Sequence, residues 1–313
     1  MEWYFYILII LGVLTLFQFV IALVLTLVVL RPRKHSDQFI INRQLDRENV
    51  DYLFFDNLHK EDFSLQLGRT TIVGKYIVNA ESTNKWVIIS HGHDASHLES
   101  VKYLNMYYKL GFNCLVFDQR YFGRSVSSNC SLGYYERKDL VAVIDMLCDK
   151  YGEIFLVLHG ESMGASSSIC ALEFTNKPAC VVADCAYASA DKFVYAVIKK
   201  VVKLFAPLVF VFAKLIAFLS CGCRLNKVSP IKVIKHNNTP ILFIHGTNDQ
   251  LVSVNNSIDM FNASTSKLTR LELFDKAKHV ESHQLDSARY ALAVQDFTNK
   301  VYLNYQHITD ENL

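Results

Sequence analysis

The chain opens on a run that is apolar on every side. From Tyr4 to Leu30 there is no charged residue and Gln18 is the only amide. As a helix this stretch spans roughly 40 Å at ~1.5 Å per residue, enough to cross a bilayer with tilt. A core helix of a soluble domain would carry a polar stripe, and this one has none. A cleavable leader has a basic start, a shorter apolar core and a small-residue cleavage site. Here the start is Met1-Glu2-Trp3 and the run is followed by Arg31-Pro32-Arg33-Lys34. The pattern predicts a retained transmembrane anchor over 4–30, with Trp3, Tyr4 and Tyr6 at the interface. The basic cluster after the span places the rest of the chain in the cytoplasm by the positive-inside rule. Asn-x-Ser/Thr triplets such as Asn129-Cys130-Ser131 and Asn262-Ala263-Ser264 run against that orientation, but chance produces them often.

Residues 31–60 are polar and irregular, a linker with a first helix. From 61 to 313 the pattern changes to short apolar runs alternating with amphipathic stretches. Strands are predicted at Phe63–Leu67, Thr71–Asn79, Lys85–His91, Phe112–Asp118, Ile154–His159, Val181–Ala186, Pro240–His245 and Arg270–Phe274. Helices are predicted at Leu98–Leu110, Tyr134–Tyr151, Met163–Phe174 and from Ser287 to about Tyr302. Continuous apolar strands alternating with helices indicate an α/β fold, a mostly parallel central sheet with helices on both faces. The block 191–223 breaks the rhythm, being long, helical and very apolar. Lys203, Pro207 and Lys214 interrupt it, and the strand pattern resumes afterwards. It reads as a helical lid over the site, with contact to the membrane open, in preference to a second span.

Composition adjusts this picture only slightly. Hydrophobic residues make up 51% and charged residues 20%, an excess of apolar content concentrated in the N-terminal run. The net charge of +2 leaves no electrostatic footprint for nucleic acid. Eight cysteines invite a disulfide framework, yet most lie inside apolar runs and read as small buried hydrophobes. Cys221-Gly222-Cys223 is the one close pair and lacks a second pair at zinc spacing.

The chemistry is carried by His159-Gly160-Glu161-Ser162-Met163-Gly164, with a strand before it and a helix after it. Gly-x-Ser-x-Gly in that setting is a nucleophile elbow: the turn strains the serine backbone so that Oγ projects at the carboxyl edge of the sheet. Gly160 and Gly164 let the strand and helix cross closely. A serine at its ordinary pKa is a poor nucleophile and requires a base and an orienting acid downstream. Asp249 follows the strand at 241–244 and is the candidate acid. His279 follows the last strand and short turn and is the candidate base, with His283 one helical turn later as its competitor and Asp275 as a turn residue. The oxyanion donors are expected to be the backbone N–H groups of Met163 and of His93, the latter in the loop after the third strand. His91, His93, Asp94 and His97 together raise a metal cluster as an alternative; a His-Gly turn explains them more simply.

Taken in order, these stretches resemble bacterial α/β-hydrolases of the serine aminopeptidase and prolyl-oligopeptidase-like group, particularly single-pass membrane-anchored members from Gram-positive bacteria. The resemblance runs through Ser90-His91-Gly92, Asp118–Ser125, Gly133–Glu136 with Asp139-Leu140, and Gly160–Ala165. It continues through Ala183-Asp184-Cys185, Ser229-Pro230, Ile244-His245-Gly246 with Asp249, and His279 with Ser282, so it covers nearly everything from Trp86 onward. It implies an α/β-hydrolase fold with a lid, a Ser162–Asp249–His279 triad, oxyanion donors at His93 and Met163, no metal and no cofactor. By analogy Asp184 shapes the loop under the lid. The chain departs from the group at Ser253, where members usually carry proline, and at His93, where a small residue is common, which implies a narrower acyl pocket. The expected function is cleavage of an ester, thioester or amide through an acyl-enzyme, with a small-molecule or lipid-like acyl ester favoured by the greasy lid and anchor. Acyl transfer on the same triad and a non-catalytic membrane-tethered scaffold are the alternatives. No nucleic-acid partner is expected.

Overall fold

Twelve α-helices and eight β-strands are found in the computed structural model, which describes residues 3–48 and 50–310. Helix α1 (Trp3–Leu30) is followed by α2 (Asp37–Glu48) and α3 (Tyr52–Asn57). The segment read as a linker with a first helix thus carries two helices. Asp51 starts α3 by accepting the Phe54 N–H at 2.8 Å, an N-cap that periodicity alone did not reveal.

Strands β1 (Glu61–Leu67), β2 (Thr70–Ile77) and β3 (Lys85–Ser90) lead to α4 (Val101–Lys109), β4 (Asn113–Asp118) and α5 (Glu136–Tyr151). Then come β5 (Phe155–Glu161), α6 (Met163–Ala171) and β6 (Cys180–Asp184). Helices α7 (Ala190–Val202), α8 (Ala206–Cys221) and α9 (Pro230–Ile234) precede β7 (Ile241–Gly246), α10 (Asn255–Ala263) and β8 (Arg270–Phe274). Short α11 (Ser282–Leu285) and α12 (Ser287–Asp310) close the chain. The eight strands form one sheet in the order β1-β2-β4-β3-β5-β6-β7-β8. β2 runs antiparallel to both β1 and β4, and every other pairing is parallel.

The parallel strands are continuous apolar runs because both of their faces are covered. Val87, Ile89, Val157 and Val182 face one core layer, with Tyr107 and Phe297 from α4 and α12. Ile88, Leu156, Leu158 and Val181 face the other, with Leu140, Ile144 and Ile169 from α5 and α6. Alternation of side chains along each strand produces this division. All eight cysteines are unbridged, and six of them are buried.

Two helical stretches, Trp3–Leu30 and Ala190–Cys221, are long and apolar enough to cross a membrane. The second does not run straight. Lys203 adopts φ 46° and breaks it into a hairpin of α7 and α8. Asp191 and Lys214 then meet at 3.2 Å, and the rings of Tyr195 and Phe210 lie 5.4 Å apart. In one continuous helix Asp191 and Lys214 would stand roughly 35 Å apart at ~1.5 Å per residue. The hairpin lies on the carboxyl side of the sheet and packs against α1 through Ala22, Ile198, Ala206, Val209, Ala213 and Ile216.

Candidate active site

The backbone of the strand–turn–helix at β5 and α6 is bent where the motif requires it. Ser162 sits at φ 53° and ψ −111°, a conformation that L-residues avoid. Its N–H donates to the Asp184 carbonyl at 2.8 Å, which anchors the bend to β6. A Cβ at Gly160 would strike the backbone of Gly164 and Ala165, and one at Gly164 would strike the carbonyl oxygens of Ser90 and His91. Both glycines are thus required by close approach of backbone to backbone.

The three side chains singled out from the sequence lie together. His279 Nε2 is 2.9 Å from Ser162 Oγ and His279 Nδ1 is 2.6 Å from Asp249 Oδ2. Asp249 is held from several directions: its Oδ1 accepts the N–H groups of Leu251 at 2.8 Å and Val252 at 2.9 Å. His245 Nε2 lies 3.1 Å from Oδ2. Burial works to raise the pKa of Asp249, but the hydrogen bonds from His245 and His279 outweigh it and hold the carboxyl well below the usual carboxylate range. An ionised Asp249 makes Nδ1 of His279 the protonated nitrogen, which leaves Nε2 free to accept from Ser162.

The competitor His283 points elsewhere. Its Nδ1 pairs with Glu48 of α2 at 2.7 Å, and its ring packs on Tyr103 and Tyr290. Asp275 accepts the Thr247 hydroxyl at 3.2 Å, as a turn residue. Met163 begins α6, so its N–H lies at that helix's positive end, and both Met163 and His93 line the cavity holding Ser162. The His93 ring is tied to α1, its Nε2 bonding to the Val29 carbonyl at 2.9 Å. The four residues of the suspected metal cluster are tied separately. His91 contacts the Gly92 carbonyl and the Gln119 N–H, and His97 pairs with Asp118, while Asp94 faces His35 and Arg43.

Two buried groups stand in stretches that the sequence pattern marks but to which it gives no role. Asp118, at the carboxyl end of β4, takes the backbone N–H of His97 at 2.8 Å and its Nδ1 at 2.9 Å on one oxygen, and the Arg124 N–H at 2.8 Å on the other. It thereby pins the loop that carries His93. Burial raises its pKa, but the bonds from His97 prevail and lower it to about 2. A carboxyl depressed in this way stabilises the fold above its unfolded value near 3.9, and that contribution is lost as pH falls through the folded value. About 2 kcal/mol of stability is expected to disappear between pH 4 and pH 2. Urea unfolding across that window should show a shallower acid limb for Asp118→Asn, and an unchanged limb would count against the assignment.

The second group is Glu161, the variable residue of the motif just before Ser162. It accepts the Tyr103 hydroxyl at 3.0 Å and the Lys102 ammonium at 3.1 Å. A charged residue between Gly160 and Ser162 was the available signal. Lys102 also bonds Glu48 at 3.0 Å, so α2, α4 and the elbow share one buried charge network. Asp184, adjacent to it, accepts the hydroxyls of Tyr103 and Tyr290 at 3.2 Å and 3.1 Å, and burial pushes its carboxyl up.

A cavity of about 570 Å³ opens above Ser162 and His279. Its polar residues include Arg43, Arg47, Asp94, Glu99 and Glu161, and most of the remaining lining is apolar.

No family model matches the chain. Over 298 residues it is 27% identical to the uncharacterized protein YqkD of Bacillus subtilis strain 168, covering 94% of this chain and 97% of that one. Among solved structures it is similar to the esterase Pf2001 of Pyrococcus furiosus, with a TM-score of 0.62, 25% identity, and coverage of 78% of this chain and 91% of that one. A putative lipase of Acinetobacter baumannii AYE superposes with a TM-score of 0.59 at 13% identity, over 87% of this chain and 98% of that one. The α/β-hydrolase GrgF from Penicillium sp. sh18 does so with a TM-score of 0.61 at 14% identity, over 78% and 99%. With its sheet order, its reversed second strand and these neighbours, the chain has the α/β-hydrolase fold, the fold of esterases and lipases.

Proposed function

We propose that the protein is a membrane-anchored serine hydrolase that cleaves a lipid-like acyl ester through an acyl-enzyme on Ser162. The observation that carries this reading is His279 bridging Ser162 and Asp249 in one hydrogen-bonded line. In the first half-reaction Ser162 Oγ attacks the ester carbonyl carbon while its proton passes to His279 Nε2. The negative charge that develops on the carbonyl oxygen is received by the N–H groups of His93 and Met163. Asp249 steadies the imidazolium, which then returns the proton to the departing alkoxide as the C–O bond breaks. In the second half-reaction His279 takes a proton from water, the hydroxide attacks the acyl carbon, and Ser162 recovers its proton as the acid leaves.

The preference for an ester of a long or lipid-like acid follows from the apolar lining of the cavity and from the roof that α7 and α8 make over it. We read this hairpin as the lid and 61–313 as the catalytic domain, in a chain of the serine aminopeptidase-like type. α1 is read as the anchor, with the hydrolase on the cytoplasmic side from Arg31, Arg33 and Lys34. Labelling of the full chain with a fluorophosphonate is the direct test. Stoichiometric modification mapped to Ser162 is expected, and an unlabelled wild type would overturn the hydrolase reading. A C-terminal reporter fusion that is active only outside the cytoplasm would reverse the orientation.

A further inference from the structure

α1 is seated on the hydrolase domain, which a simple tether does not require. The last carbonyls of an α-helix have no partner within the helix. Here the domain supplies them: the Val29 carbonyl accepts His93 Nε2 at 2.9 Å and the Cys130 thiol at 3.2 Å, and the Leu30 carbonyl accepts the Cys130 N–H at 3.0 Å. Just beyond, the Pro32 carbonyl accepts the Tyr121 hydroxyl at 3.0 Å. About two to three helical turns before this, Ala22 is fully buried against α7 and α8, and Phe19 meets Phe212 edge-on at 5.5 Å. The earlier turns of the helix expose their apolar side chains, among them Leu8, Ile9, Leu16 and Phe17.

This seating puts Leu25, Thr26 and Val29 into the wall of the cavity that contains Ser162 and His279, across from Val194, Val197 and Ala213 of the hairpin. Thr26 is the one polar member of the three. It is buried at 8% exposure, it lines the cavity, and its hydroxyl has no hydrogen-bond partner among the described residues. Thr15, on the same helix, satisfies its hydroxyl by bonding back to the Leu11 carbonyl at 2.8 Å. A buried hydroxyl of this kind calls for a hydrogen-bond partner inside the cavity, a water or an ester oxygen of a substrate, since an acyl chain offers none. Beyond the cavity wall, Leu204, Val211, Leu215 and Leu219 of the hairpin are exposed. An apolar surface of that kind beside a membrane-length helix belongs against acyl chains.

We infer that the C-terminal end of α1 is one wall of the acyl-binding site, and that the substrate is a long-chain acyl ester of the bilayer whose chain lies between α1 and the α7–α8 hairpin. The inference rests on Ser162 being the nucleophile. The anchor is then part of the specificity apparatus: the helix that crosses the lipid also lines the place where a lipid chain is received. His93 links the two, since it lines the cavity with Ser162 while its ring bonds the end of α1.

The test uses the wild-type full chain in phosphatidylcholine vesicles and a hexadecyl fluorophosphonate with a diazirine at the far end of its chain. Ser162 Oγ displaces fluoride from phosphorus, its proton passing to His279, and light then joins the chain end to whatever it touches. Adducts on peptides covering residues 19–30, together with others on α7 or α8, are the expected result. Modified Ser162 with adducts on the hairpin or elsewhere but none on α1 would overturn the wall while leaving the hydrolase intact. Absence of Ser162 modification would remove both. Independently, Val29→Trp is expected to lower the ratio of kcat/KM for a p-nitrophenyl palmitate over a p-nitrophenyl acetate by at least tenfold, and an unchanged ratio would count against the inference.

Discussion

Ser162→Ala is expected to reduce kcat for ester hydrolysis by about 10⁵-fold, about 7 kcal/mol of transition-state stabilisation. The size follows from the cooperation of three groups that act as one. In the proposed mechanism Ser162 would supply the bond to carbon, His279 both proton transfers, and Asp249 would keep the imidazole in the tautomer that accepts from serine. Removing His279 alone should therefore cost nearly as much, and the double variant Ser162→Ala/His279→Ala should lose little more. Asp249→Asn is a separate case. An amide in place of the carboxylate donates to Nδ1, turns the imidazole to its other tautomer and withdraws the acceptor from Ser162, for a loss of about 10⁴-fold. Initial rates on a p-nitrophenyl ester and burst titration of the acyl-enzyme measure all of these. Additive losses across the double variant, or more than a hundredth of the wild-type rate in Ser162→Ala, would mean that the bond is broken by some other group.

Loss of the Lys102 ammonium should be the most damaging change to stability outside the sheet. Lys102 is buried with Glu48 at 3.0 Å and Glu161 at 3.1 Å, and lies over the Tyr103 ring at 4.8 Å. Burial works against its charge, but Glu161, Glu48 and Glu99 overcome it and push the lysine pKa above its ordinary value. Lys102→Ala leaves two carboxylates buried without their cation, which costs about 3–5 kcal/mol. For a domain of this size the melting temperature should fall by roughly 10 °C. The companion variant Lys102→Met/Glu161→Gln neutralises one of the two stranded carboxylates and leaves Glu48 to its other partner His283, so it should recover part of the loss, because the uncompensated charge does the harm and not the absence of the pair. If the double variant melts no higher than Lys102→Ala, the network does not carry its weight in this way. Glu161 adjoins Ser162, so the single variant should also slow acylation at temperatures where it remains folded.

Much of the fold is legible in the order of apolar and polar residues. The boundaries of β8, Arg270–Phe274, coincide with those expected, and the other strands differ by a few residues at their ends. Their apolar runs are unambiguous because both faces of a parallel strand are buried, so burial leaves its mark on every residue. The elbow is legible for a related reason: only glycine fits at 160 and 164, where backbone meets backbone. The region 37–57 is harder, since its helices expose most of their surface and bury only Ile40, Gln44 and Phe55. The elbow's neighbour Glu161 looks like an ordinary variable position, because its partners Lys102 and Tyr103 are some 60 residues away in the chain.

What the sequence determined by itself was therefore local and periodic: strands, helices, the strained serine turn and an apolar run long enough to span a bilayer. The choice of His279 over His283 also depended on distances that only folding creates, since the two stand four residues apart and face Ser162 and Glu48 respectively. The break at Lys203, which folds 190–221 back on itself, and the seating of α1 against that hairpin were decided by tertiary packing alone. Hydropathy reports how apolar a helix is but not what its apolar side meets. Lipid and an apolar cavity would present the same chemistry to Leu25 and Val29, so the residue pattern alone does not separate them; the three-dimensional arrangement puts both in the cavity wall.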